Sequence, residues 1–249
     1  MKSLLIFCSL FFISLNAFGQ TELFSRHSFV GNSGDSIQYR QLLSDYKNGA
    51  KYPLVIFLHG SGERGNDNEA QLKWGVQNFA SDEIMKNHMP IVIAPQCPSG
   101  TSWGNYDYNE MRLKDAPTQT MTLLIELIQD AIKNLPVDEN RVYITGLSMG
   151  GYGVFDIAAR HPDIFAAAVP VCGGGDTSKA PTFAHIPMWV FHGAEDSTVP
   201  VELSQNMVLA LQKAGANPGY TQYPEVGHFS WVAAYDDSMM MQWLFRQHK

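Results

Sequence analysis

Gly146-Leu147-Ser148-Met149-Gly150, directly after the strand-like run Arg141-Val142-Tyr143-Ile144-Thr145, decides how this chain is read. The pattern G-x-S-x-G sets a serine in a sharp strand-to-helix turn. Glycines two positions to either side keep bulk away from neighbouring backbone. Ser148 is then expected to project from the turn, open to a reactant. Gly150-Gly151-Tyr152-Gly153 has poor helix propensity, yet Val154 to Arg160 reads as helix with His161-Pro162 as its stop. Glycines suit that segment if the helix packs tightly on the strands beside it. The bare pattern also arises in glycine-rich loops; the strand before, the helix after and the partners downstream give it weight.

Solid apolar runs lie on both sides of this turn: Leu54 to Leu58, Ile91 to Ala94, Val142 to Thr145, Ala166 to Val171 and Met188 to Phe191. Strands buried on both faces have this composition. Between them, Thr118 to Asn134 carries Met121, Leu124, Ile125, Ile128 and Ile132 at helical spacing, with Pro117 near its start. Val201 to Ala214 and Trp231 to Gln247 read as helices too, Gly215 ending the former. Residues 23 to 30 and 36 to 43 alternate like an antiparallel hairpin around Gly31-Asn32-Ser33-Gly34-Asp35. Alternating strands and helices predict an α/β class with a mostly parallel central sheet, an antiparallel N-terminal hairpin and helices on both faces. No repeat, low-complexity tract or linker divides the chain. Only about fifteen residues separate Val171 from Pro187, too few for a large lid domain, so an open cleft is expected.

The 249 residues, 45% hydrophobic, suffice for one sizeable core. Residues 1–19 interrupt that reading: Lys2 gives a basic start, Leu4 to Leu15 an apolar stretch, and Ala17-Phe18-Gly19 small residues suited to cleavage. They read as a signal peptide, with residues 20–249 as a single catalytic domain and export to a periplasm or the cell exterior as the expectation. The apolar stretch is short of the roughly 18 residues a membrane span needs. Cys8 lies inside it, preceded by Phe7 where a lipoprotein signal wants a small residue. Removing Lys2 from the formal charge of −7 leaves −8, and there is no basic cluster, so a nucleic-acid partner is not suggested. Cys97 and Cys172 follow strands that are not expected to be neighbours, which favours two free thiols over a disulfide.

A serine hydroxyl is a weak nucleophile until a base takes its proton, and the base needs an orienting carboxylate. On a sheet of this kind the acid and then the histidine follow the serine, each on a loop after a later strand. Asp196 stands in Phe191-His192-Gly193-Ala194-Glu195-Asp196, directly after an apolar strand run. His228 stands in Glu225-Val226-Gly227-His228-Phe229-Ser230-Trp231, after the strand-like Tyr220 to Tyr223. Glu195 is the rival acid, but its longer side chain changes the reach. His59 and His192 are the rival bases, though each ends a strand before a glycine, where loop support is the commoner role.

The developing oxyanion needs two N–H donors. Met149, after the serine, supplies one; Ser61 in His59-Gly60-Ser61-Gly62 is expected to supply the second, with Gly60 as the near alternative. Glu63, Arg64 and Trp74 are read as supports of that loop. Trp103, in a polar loop after a central strand, is a candidate to stack on a sugar or aromatic ring of the substrate. H-E-x-x-H, paired C-x-x-C and dinucleotide fingerprints are missing from the sequence, so no metal or nucleotide cofactor is indicated.

Together, Tyr52 to Gly65, Asp138 to Gly151, Phe191 to Pro200 and Gly227-His228 resemble the α/β-hydrolase fold. Within it they resemble secreted esterases related to feruloyl and acetylxylan esterases, polyhydroxybutyrate depolymerases and the so-called predicted peptidases. The resemblance runs from about Tyr52 to the C-terminus. It implies a serine carboxylesterase working through an acyl-enzyme without cofactor, with Ser148, Asp196 and His228 as triad. The implied substrate is a feruloyl or acetyl ester on plant polysaccharide. A serine peptidase on small peptides and a non-catalytic carbohydrate-binding protein on a hydrolase frame are the contrasting expectations.

Overall fold

A computed structural model describes residues 20–43 and 46–249, so the expected leader lies outside the described residues. Ten strands are present among these: β1 Phe24–Val30, β2 Ser36–Leu42, β3 Tyr52–Leu58, β4 Ile91–Gln96, β5 Tyr106–Asp107, β6 Arg112–Leu113, β7 Val137–Leu147, β8 Ala167–Val171, β9 Trp189–Gly193 and β10 Gly219–Tyr223. Eight form one sheet in the order β1-β2-β4-β3-β7-β8-β9-β10, and β5 and β6 make a separate ribbon. β1 and β2 are the expected antiparallel hairpin, β2 runs antiparallel to β4, and every later pairing in the large sheet is parallel. This is the α/β-hydrolase fold.

Every residue of β3 is buried, with alternate side chains entering two separate cores. Leu54, Ile56 and Leu58 join one; Val55 and Phe57 join the other. A strand buried on both faces cannot show polar alternation, which is why the sequence gives solid apolar runs. Helices α2 Gln119–Asn134, α3 Met149–Arg160, α4 Ala180–Phe183 and α5 Val201–Lys213 supply the first core. Helices α1 Asp82–Asn87, α6 Trp231–Asp236 and α7 Ser238–Arg246 supply the second. At about 2 kcal/mol per fully buried aliphatic side chain, these layers dominate the stabilisation. α2 shows how the sequence sets its own limits. Thr118 caps it by accepting from the Met121 N–H at 3.0 Å, and Leu135-Pro136 ends it, because the residue before proline disfavours helix.

Two expected helices differ in extent. The helix after the elbow starts at Met149, five residues earlier than propensity predicts, because close packing on β7 and β8 outweighs the weakness of its glycines. The stretch Trp231 to Gln247 is two helices. Asp237 leaves the helical region at φ −77°, ψ 105° and its carboxylate caps α7 by accepting from Met239 and Met240. Apolar periodicity continues across that break, so it hides a change of direction. Between β8 and β9 lie a short 3₁₀ turn and α4, with no inserted lid domain.

Candidate active site

The site is built where parallel strands end, the edge at which open α/β sheets bind ligands. β7 ends at Leu147 and the chain turns sharply, with Ser148 at φ 53°, ψ −116°, a conformation costly for a residue with a Cβ. Two glycines make the turn possible. A Cβ on Gly146 would come within 2.6 Å of the Gly150 carbonyl oxygen, and one on Gly150 would meet the Leu58 carbonyl. The Ser148 N–H donates to the Val171 carbonyl at 2.9 Å, tying the turn to β8.

The structure brings the three predicted residues into one line. Ser148 Oγ lies 2.9 Å from His228 Nε2, and His228 Nδ1 lies 2.7 Å from Asp196 Oδ2. Asp196 follows β9, and its Oδ1 accepts the Thr198 and Val199 N–H groups, both at 2.9 Å. Burial pushes this carboxyl up, but the hydrogen bonds from His228, Val199 and Thr198 outweigh that and hold it below its usual range. An ionised Asp196 is therefore ready to orient Nδ1–H of His228, leaving Nε2 to accept the serine proton. Glu195 donates its backbone N–H to the Val226 carbonyl, and it is Asp196 that reaches the histidine.

The rival histidines are held elsewhere. His59 is buried, with Nδ1 against the Gly60 carbonyl at 2.6 Å and Nε2 accepting the Cys97 N–H at 2.9 Å, which fixes its tautomer. Burial lowers its pKa to about 4. His192 is buried between Ser204, the Val199 carbonyl and, 3.2 Å away, Asp196 Oδ2, the oxygen that also meets His228, and burial lowers its pKa as well.

Met149 opens α3 and Ser61 opens a 3₁₀ turn, so neither N–H has an acceptor within its own helix. The two turns meet: a Cβ on Gly60 would lie 3.7 Å from Ser148 Cβ. Gly60 differs from Ser61 in that its N–H faces the buried Glu63 carboxylate. Burial raises the pKa of that carboxylate, while Lys73, the Gly60 N–H and the Trp74 indole oppose the rise. Of the two candidates, Gly60 is the one whose N–H is engaged by this carboxylate.

Trp103 requires a correction. The ring proposed for substrate stacking is fully buried, donates its indole N–H to the His59 carbonyl at 3.0 Å and packs edge-on against the His59 ring. It is a prop beneath the loop that carries Ser61. An exposed aromatic ring instead adjoins His228. Phe229 follows His228 directly and is 58% exposed; its ring centroid is 5.8 Å from Trp74 and 4.6 Å from Trp231, which itself packs edge-on to His228. The adjacency of Phe229 to the histidine was the available signal, and Trp74 had none beyond its loop.

Cys97 and Cys172 are free and buried, as expected. Ligand atoms of Cys172, Asp196 and His228 lie within 4.8 Å of one another. Burial pushes the Cys172 thiol up to about 12, so it is a poor metal ligand, and the other two are already bonded to each other.

Strand order, elbow and the Ser148–His228–Asp196 line define the class: a chain of α/β-hydrolase fold with the side-chain geometry of a serine hydrolase. More narrowly, the chain belongs to the Phospholipase/Carboxylesterase family, which matches residues 45–241. It is 37% identical to a thermostable esterase of known crystal structure, at a TM-score of 0.86 over 92% of this chain and 64% of that one. It is 29% identical over 176 residues to poly(3-hydroxyalkanoate) depolymerase C of Paucimonas lemoignei, covering 70% of this chain and 40% of the depolymerase. A bifunctional acetylxylan esterase/xylanase of Neocallimastix patriciarum is 24% identical over 147 residues, 59% of this chain and 20% of that protein. The chain thus spans well under two thirds of the length of both enzymes. Among the described residues, no helix is long and apolar enough to cross a membrane.

Proposed function

We propose that this protein is an exported serine carboxylesterase that cleaves acetyl or feruloyl esters carried on plant polysaccharide. The observation that carries the reading is the 2.9 Å and 2.7 Å relay from Ser148 through His228 to Asp196. Ser148 Oγ attacks the ester carbonyl carbon while its proton passes to His228 Nε2. The N–H groups of Met149 and Ser61 stabilise the negative oxygen of the tetrahedral intermediate. As that intermediate collapses, the bond to the alcohol oxygen breaks and His228 returns the proton to it. Water then attacks the acyl-enzyme and gives its proton to His228; as the acyl–Oγ bond breaks and the acid leaves, His228 passes that proton to Ser148 Oγ, restoring both residues. Besides the ester, these steps need only water and the side chains and backbone named. The short connection between β8 and β9 supports an ester displayed on a bulky molecule, residues 1–19 support export, and the likeness to an acetylxylan esterase/xylanase supports a carbohydrate ester.

The test is hydrolysis of p-nitrophenyl acetate, methyl ferulate, acetylated xylan and a chromogenic peptide amide by the wild type and Ser148→Ala. Turnover of ferulate or xylan by the wild type alone is expected. Faster cleavage of the amide than of the esters would replace this reading with a peptidase. Folded protein that a fluorophosphonate fails to label at Ser148 would remove the catalytic reading altogether.

A further inference from the structure

In the reaction just proposed, three directions around the substrate carbon are fixed by residues. The carbonyl carbon lies over Ser148 Oγ and its oxygen faces the Met149 and Ser61 N–H groups. The ester oxygen must come within hydrogen-bond reach of His228 Nε2, because that atom returns the proton when the alcohol leaves. The alcohol portion therefore extends past His228, onto whatever surface adjoins that ring.

That surface is aromatic and unused by the chemistry. Trp231, buried, stands edge-on to His228 at 5.1 Å and 88°. Phe229 lies against Trp231 and meets Trp74 at 77°, so exposed Phe229 and half-buried Trp74 form an angled apolar step at the surface. Val232, one turn on from Phe229 and 55% exposed, extends it, and the Lys73 ammonium sits 5.1 Å from the Trp74 ring centroid at its rim. An exposed aromatic ring seated on half-buried apolar surface is costly to leave in water, and beside a reactive centre it points to a binding surface. A buried pocket would suit a small apolar alcohol. An open step with a polar, cationic rim instead suits a ring that has one apolar C–H face, carries hydroxyls at its edge and is attached to a larger chain.

We propose that Trp74 and Phe229 form the alcohol-side subsite, where the sugar ring bearing the ester stacks while its acyl group lies on the far side of Ser148. This inference rests on the esterase reading and names the position of its leaving group.

The test varies the alcohol at constant acyl group: acetyl esters of methanol, phenol and a xylose glycoside, with kcat/KM measured for wild type, Phe229→Ala, Phe229→Tyr and Trp74→Phe. The wild type should prefer the xylosyl ester over the methyl ester. In Phe229→Ala that preference should shrink about five- to tenfold, the scale of one lost aromatic stack, and Phe229→Tyr should restore it. Equal losses on all three esters would make Phe229 merely structural and overturn the proposal. So would a larger effect for the phenyl than for the xylosyl ester, which would put an aryl group on the step. A preference that moves instead when acetyl is exchanged for feruloyl would place the acyl group there. If the unlabelled wild type hydrolyses esters without any xylosyl preference, the subsite fails while the esterase stands; if it hydrolyses no ester, the esterase itself fails.

Discussion

The backbone N–H of Ser148 is bonded to the carbonyl of Val171 at 2.9 Å, and this bond to the next strand holds the serine in a backbone conformation that a Cβ disfavours. Strain of this kind costs about 1–3 kcal/mol, whereas a glycine costs about 0.5–1 kcal/mol in chain entropy. Ser148→Gly should therefore raise stability by about 1 kcal/mol, seen as a melting point about 2–4 °C higher. Turnover should fall by several orders of magnitude in both Ser148→Gly and Ser148→Ala. A glycine variant that melts below the alanine variant would show that the turn is not strained.

Asp196→Asn should lower kcat by about 10³- to 10⁴-fold with little change in KM. The amide leaves the ring of His228 without an acceptor for Nδ1–H and favours the wrong tautomer. Single-turnover kinetics on p-nitrophenyl acetate would measure it. A loss below tenfold would mean that the carboxylate does not orient the base.

His59 makes stability depend on pH. Its pKa is about 4 in the folded protein against an ordinary value of 6.5, so between these values only the unfolded chain takes up the proton. Its neutral-form stabilisation is complete above pH 6.5 and is lost as pH falls toward 4. From pH 6.5 to pH 5 the loss is about 2 kcal/mol. Asp196, held below its usual range, loses its contribution only at lower pH, so the windows are separate. Urea midpoints at pH 7.5 and 5 should differ less in His59→Gln than in wild type. An equal pH dependence in both would assign the effect to other groups.

Trp103→Phe keeps most of the packing but removes the indole donor to the His59 carbonyl, which should cost about 2 kcal/mol of stability. The ratio of xylosyl to methyl ester turnover should not follow this loss, in contrast to Phe229→Ala. A selective loss on the xylosyl ester with unchanged stability would return Trp103 to the substrate.

The sheet was legible because its central strands are buried on both faces and its turns carry the marks of their geometry, as at Gly146 and Gly150. What escaped was decided by neighbours distant in sequence. The start of α3 depends on β7 and β8 receiving its glycines, and the break at Asp237 interrupts no apolar pattern. The ribbon of β5 and β6 has only two residues per strand, below what alternation can reveal. Ser148, Asp196 and His228 were legible as a set through chain order and local context, and the structure places them in hydrogen-bonding sequence. Trp103 was misread because a loop position does not report depth; whether a tryptophan faces water or His59 depends on how the loop folds back.

The three members of this line do not stand on equally secure ground. Ser148 leaves β7 in the middle of the sheet, whereas His228 hangs from the segment after β10, a half-buried edge strand whose single neighbour is β9. Fraying begins at such margins, at a free energy below that of global unfolding. If the edge frays first on warming, activity measured against temperature should fall before the circular-dichroism melt, and coincident curves would show that the His228 segment holds as long as the core. In that case reinforcing the β9–β10 edge should raise the temperature at which activity is lost more than filling the interior does.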